Sequence, residues 1–208
     1  MPSTGGADRE LAIADAIGPA LQIVLDMLSP AERVAFVLHD MFDLPFEVIG
    51  PIIDRSAAAA RQLASRARRR VRGVGGGGSD AGDHRELVGA FLAASRDGNL
   101  EALVALLSPD VVLRADELAV RTAAERPSGA PNLASELRGA ALVADAFKGR
   151  ARAAKPALID GGAGLVWVGG GQVRAAFVFA FDDGKVSELD IVMDPATLAE
   201  LEIELLSE

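Results

Sequence analysis

Two hydrophobic periodicities divide the chain. Through residue 72 the apolar positions repeat at helical spacing. In Leu11–Met27 and the residue after it, apolar side chains fall at 13, 17, 21, 24, 25 and 28, a helical stripe interrupted at Gly18-Pro19. Ser29-Pro30 followed by Glu32 is a helix start: serine caps, proline takes the first helical position, and glutamate closes a capping box. The helix predicted from Pro30 to about Met41 buries Val34, Phe36, Val37, Leu38 and Met41. The next begins at Leu44-Pro45, with Phe46, Val48, Ile49, Ile52 and Ile53 inward, and ends at Asp54. After a turn, Ser56 caps a last helix, in which Ala57–Ala60, Leu63, Ala64, Ala67 and Val71 allow close packing. Two short helices about a tight turn form a helix-turn-helix.

Beyond residue 82 the pattern changes. Arg85–Ser95 and Leu100–Leu107 read as amphipathic helices joined at Asp97-Gly98-Asn99, and Val111–Ala115 as a strand. Residues 116–135 show little periodicity and contain Pro127, Gly129 and Pro131, which predicts a loop. Leu137–Lys148 reads as a helix. Strand-like runs follow at Ala157–Asp160, Gly164–Val168, Val173–Phe181 and Val186–Met193, separated by glycine-rich turns, the spacing of an antiparallel meander. Both alternating sets in Val173–Phe181 are apolar apart from Arg174, so that strand is expected to be covered on both faces. Helices followed by strands predict an α+β domain.

The segment between the two patterns, GVGGGGSDAG at 73–82, is a flexible linker by composition, with a mean reach of about 18 Å. The expected organisation is a helical domain at 11–72, the linker at 73–82 and an α+β domain at 83–208. The glycines do not form a phosphate loop: GGGQ at 169–172 follows a strand but precedes no helix.

Charge sharpens this division. The 208 residues carry a net charge of −9, but unevenly. Residues 1–54 hold 2 basic and 9 acidic groups, residues 83–208 hold 12 and 20, and residues 55–82 hold 7 and 1. All seven bases of that middle stretch are arginines between Arg55 and Arg72. A cationic helix on an acidic chain points to a nucleic-acid contact with a local positive field.

Composition limits other chemistry. With no cysteine, disulfides and thiolate metal sites are excluded, and no metal-ligand cluster of usable spacing exists. There is no tyrosine and only two histidines, His39 and His84; His39 reads as structural. No apolar run approaches the roughly 18 residues of a membrane span, and MPSTGGADRE lacks the form of a signal peptide, so a soluble cytoplasmic protein is expected.

LSPAERVAFVLHDMFDLPFEVIGPIIDRSAAAARQLASRARRRV, residues 28–71, resembles region 4 of extracytoplasmic-function (ECF) sigma factors. It departs from the family at Gly50-Pro51, where better helix formers are usual, and at Asp54, where the turn often has glycine. Residues 84–200, above all ELVGAFLAASRDGNLEALVALLSPDVVLRAD, resemble a SnoaL-like domain, a cone of curved antiparallel sheet wrapped by helices. That order matches a subgroup of ECF factors whose C-terminal extension regulates the factor in cis. The subgroup's DGGGK and NPDKL motifs correspond here to DELAV (Asp116–Val120) and MDPATL (Met193–Leu198). Sigma region 2 would precede region 4, and too few residues stand before Ser29 to form it; the expectation is a fragment of a longer factor or a natural short form, which would modulate or compete with a complete factor.

The resemblance implies recognition of the −35 promoter element and contact with core RNA polymerase, whose β-flap docks near the apolar segment Val34–Met41 and Phe42; packing alone would also account for that stripe. A recognition helix from Ser56 to Arg72, about 25 Å long, fits a major groove about 12 Å wide. Ser56, Arg61, Gln62 and Ser65 are the candidates for bases; Arg66, Arg68, Arg69, Arg70 and Arg72 suit phosphates.

The expected function is therefore a DNA-binding transcription initiation factor and not an enzyme, with no cofactor and with room for a small-molecule ligand in the cone. The alternative is a SnoaL-like ligand sensor, or an isomerase or cyclase, beside a vestigial DNA-binding domain. Catalysis would need a base from Asp116, Asp160, Asp190 or Asp194 in a pocket lined by Trp167, Phe177, Phe179 and Phe181.

Overall fold

The computed structural model describes residues 25–73, 80–125 and 133–206. The chain divides into two compact units, Met1–Gly77 and Gly78–Glu208. The helix expected at Leu11–Met27 and the centre of the glycine-rich segment lie outside the described residues, apart from the last residues of that helix.

In the first unit, α1 (Pro30–Phe36) continues into a π-helical turn at Val37–Met41, and α2 (Phe46–Ile52) and α3 (Ala57–Gly73) follow. The Ser29 capping box forms as expected: Ser29 Oγ accepts the Glu32 amide, and the Glu32 carboxylate accepts the Ser29 amide at 2.8 Å. Ser56 Oγ likewise accepts the Ala59 amide at 3.1 Å. The core consists of Ala35, Phe46, Ile49, Ala60, Leu63 and Ala64. Alanines from α1 and α3 meet there, so the two backbones approach closely. Gly50 does the same at the turn: a Cβ on it would lie 2.8 Å from the Arg55 carbonyl oxygen and 3.0 Å from the Ala57 nitrogen. The glycine that weakens α2 as a helix is what lets α2 cross the start of α3. Asp54 occupies the left-handed region at φ 56°, the conformation that explains glycine at this position in relatives of the motif. Several residues expected inward point outward instead: Val34, Met41, Val48 and Ile52 are exposed.

In the second unit, α4 (Asp80–Asp97) and α5 (Leu100–Leu106) lead into β1 (Leu107–Ala115), then α6 (Glu117–Ala124), β2 (Glu136–Arg138) and α7 (Ala140–Phe147). The chain then forms β3 (Ala154–Ile159), β4 (Gly162–Gly169), β5 (Gln172–Asp182) and β6 (Lys185–Val192), followed by α8 (Pro195–Ala199) and β7 (Ile203–Leu205). The strand order is β2-β1-β6-β5-β4-β3-β7. The β3–β6 meander is antiparallel as expected, but β1 lies parallel to β6, so the curved sheet is mixed rather than antiparallel throughout. A period-2 pattern gives strand faces but not strand direction.

Three local readings are corrected. Residues 116–135 are not all loop, because Asp116 caps α6. The helix expected over 137–148 starts only after Gly139, whose φ of 92° breaks the chain there, so that Leu137 belongs to β2. Finally, α8 and β7 have no counterpart in the sequence reading. The β5 expectation holds: Phe179 enters the main core with Phe91, Phe147 and Leu189, while Ala176 and Val178 face a second cluster with Val166 and Ile159.

Candidate nucleic-acid interface

α3 is the second helix of the helix-turn-helix. Ala57, Ala60, Leu63 and Ala64 pack it against α1 and α2. Its remaining faces carry the cations and the polar candidates for DNA contact.

The structure treats these candidates unequally. Ser56, at the start of α3, is exposed, as is Arg55 before it. Arg61 is half-buried; its guanidinium carbon lies 5.1 Å from the centroid of the Phe46 ring, and Nη2 is 3.8 Å from Glu47. Gln62, Ser65 and Arg66 were expected to face water or DNA, yet they are buried, with exposures of 3%, 8% and 8%. Arg68 Nε donates to Asp40 at 2.8 Å, and Arg70 pairs with the buried Glu32. The side chains of Arg69 and Arg72 lie outside the described residues.

Two acids of the helix ending at Met41 and one of α2 thus hold three of the α3 arginines. Sequence reasoning placed the cations correctly on α3 but missed these partners. Glu32 was legible as a capping residue, and its second role arises only because α1 and α3 pack side by side. Glu32 therefore serves helix start and interhelix pairing at once. His39 is structural, as expected: Nδ1 is 2.9 Å from the Leu44 carbonyl oxygen, and the ring packs on Phe46 at 4.0 Å.

Residues 20–71 match the sigma-70 region 4 family. The chain is 32% identical over 208 residues to a protein described as a probable ECF RNA polymerase sigma factor SigI of Mycobacterium tuberculosis, covering 99% of this chain and 67% of that one. The chain belongs to the ECF sigma factor family. This ECF factor is also 37% identical over 188 residues to the ECF RNA polymerase sigma factor SigJ of Mycobacterium tuberculosis, covering 85% of this chain and 59% of the relative. It therefore spans well under two thirds of the length of SigJ. The crystal structure of SigJ is similar with a TM-score of 0.45 at 32% identity, covering 86% of this chain and 64% of that chain.

In the C-terminal unit of this ECF factor, the four acids considered as catalytic bases have other occupations. Asp116 and Asp194 cap α6 and α8, accepting the Ala119 and Thr197 amides, each at 2.8 Å. Asp160 Oδ1 accepts the Glu202 amide at 2.9 Å. Asp190 is buried in β6 opposite Val178. His84 stacks on Phe181 at 4.1 Å. Among the described residues no helix is long and apolar enough to cross a membrane, and no group of three acids or histidines could hold a metal.

Proposed function

We propose that the chain acts in transcription initiation as a promoter-binding ECF factor, with α3 entering the major groove at a −35 element. The reading rests on one observation above all: a capped, arginine-rich second helix of a helix-turn-helix whose leading end, Arg55-Ser56, stays exposed. Ser56 and Arg61, with Gln62 and Ser65, are the proposed base contacts; Arg66, Arg68, Arg69 and Arg70 are the proposed phosphate contacts. Of these, Ser56 is exposed and Arg61 half-buried, whereas Gln62, Ser65 and Arg66 are buried. The arginines held by Asp40 and Glu32 exchange a carboxylate for a phosphate, so part of the electrostatic gain of binding is offset.

Core RNA polymerase is the second proposed partner. Met41 and Phe42 are 57% and 66% exposed at the end of the first helix, and they offer an apolar surface beside the DNA-reading helix. The proposed domains are 11–72 and 83–208, joined by the linker 73–82. The SnoaL-like domain is regulatory in this reading and uses its interior cavity for a small-molecule ligand. No acid, histidine or tyrosine is among the described residues lining that cavity. Base-catalysed isomerisation would need one there, so ligand binding is favoured over catalysis.

Electrophoretic mobility shift of the full chain on −35 duplexes, with and without core polymerase, tests the reading. Sequence-dependent complexes lost on Ser56→Ala plus Arg61→Ala are the expected result. Complexes insensitive to both the duplex sequence and these substitutions would refute it.

A further inference from the structure

The cavity of the second unit lies between strands β3–β6 and helices α6 and α7 and has a volume of about 300 Å³, at the small end of the usual ~300–1,000 Å³ for ligand sites. Its origin is visible in the strand register. Ala154 of β3, Trp167 of β4 and Ala175 of β5 form one cross-strand row. A single indole flanked by two methyl groups leaves volume unfilled on both sides. Phe177 extends the floor, and alanines of α6, α7 and the turn at 151–153 leave the roof equally thin; seven of the lining residues are alanine.

The walls are apolar, with Trp167 and Phe177 providing aromatic faces. Among the described lining residues Arg150 is the one charged side chain. It sits in KGRARAAK, Lys148–Lys155, whose other three cations are not among the described lining residues. Lys148, Arg152 and Lys155 are exposed. Among the described lining residues the cavity therefore combines apolar, aromatic walls with one cation, Arg150, and no acid. Such a site favours a flat apolar body with one anionic group, the anion on the guanidinium and the rings against Trp167.

We infer that this cavity binds a small aromatic monoanion of one or two rings, such as an aromatic carboxylate, with Arg150 fixing its charged end. The inference rests on the reading of the second unit as a ligand-binding regulatory domain and goes further by assigning the ligand's chemistry. Neutral ligands of the same shape would lose the Arg150 contact, and cations would be repelled by the same guanidinium.

The full chain, titrated calorimetrically with 2-naphthoate and with neutral 2-naphthalenemethanol, provides the test. Emission of Trp167, the only tryptophan, reports occupancy in parallel. The acid is expected to bind at least about tenfold more tightly than the alcohol. Arg150→Gln should erase that difference while leaving the alcohol's affinity in place, which also shows that the variant is folded. Lys185→Gln, an exposed cation on the β5–β6 turn, should change nothing, whereas Ala146→Leu should fill the cavity and weaken both ligands. Equal affinity for acid and alcohol would overturn the anion assignment while leaving a ligand site. Binding of neither would overturn the ligand reading itself, and undiminished binding to Ala146→Leu would place the site elsewhere and overturn the inference.

Discussion

Asp116 and Asp194 are joined directly: Oδ2 of Asp116 accepts the Asp194 amide at 2.7 Å and the neighbouring Met193 amide at 2.5 Å. Its other oxygen caps α6 through the Ala119 amide. They lie in the two segments, DELAV and MDPATL, that correspond to the DGGGK and NPDKL motifs of the ECF subgroup this chain resembles. The aspartate that begins the first motif is retained. In this chain it ties the start of α6 to the turn between β6 and α8, so the two segments remain coupled within the domain after the rest of the first motif has changed.

Asp116→Ala removes a helix cap and leaves two further amides without their carboxylate. A loss of about 2–4 kcal/mol is expected, from ~1 kcal/mol for the cap and ~1–3 for the unsatisfied amides. Asp116→Asn keeps acceptor capacity and should lose less. Urea denaturation of the full chain, followed by Trp167 emission, reads the C-terminal unit selectively.

Gly50→Ala should destabilise the helix-turn-helix despite the better helix propensity of alanine. Its Cβ would sit 2.8 Å from the Arg55 carbonyl oxygen, and overpacking against backbone typically costs ~1–3 kcal/mol. Asp54→Gly should act in the opposite direction by relieving φ 56°, with a gain of up to ~1 kcal/mol. Differential scanning calorimetry of the two variants would show the first unit melting earlier and later, respectively.

Two of the three described arginine pairs on α3, Arg68 with Asp40 and Arg70 with Glu32, should differ in weight. Arg70 answers a carboxylate that is 2% exposed, whereas Arg68 answers the surface residue Asp40. Arg70→Ala leaves Glu32 buried with, among the described residues, only the Ser29 amide, so it should cost more stability than Arg68→Ala, by about 1–3 kcal/mol. Paired replacement of Glu32 and Arg70 should recover part of the loss. Thermal denaturation of the single and double variants gives the coupling.

Legibility in the sequence followed the locality of each signal. Ser29, Glu32 and Ser56 act within one helical turn, and the caps they imply are present. The strand meander was legible because Gly161, Gly170 and Gly184 mark its turns, all at positive φ. α6 was hidden by the prolines and glycine that follow it, although Asp116 offered a cap. The parallel pairing of β1 with β6 joins residues more than seventy positions apart and leaves no local trace. Nor could the polar pattern of α3 reveal that Gln62, Ser65 and Arg66 are buried, since the sequence of one helix does not fix its exposure. The cavity, likewise, exists only in the register that aligns Ala154, Trp167 and Ala175.

The central claim is that α3 reads promoter DNA, and fluorescence anisotropy of the full chain on −35 duplexes across a salt series tests it most directly. With about four phosphates neutralised, the logarithm of affinity should fall with the logarithm of salt at a slope near −3.6, at ~0.9 per phosphate. Arg68→Ala should make the slope shallower by about one unit, and Arg61→Ala should weaken binding according to duplex sequence. No saturable binding at low salt, with or without core polymerase, or binding whose slope and sequence dependence ignore these substitutions, would contradict the account.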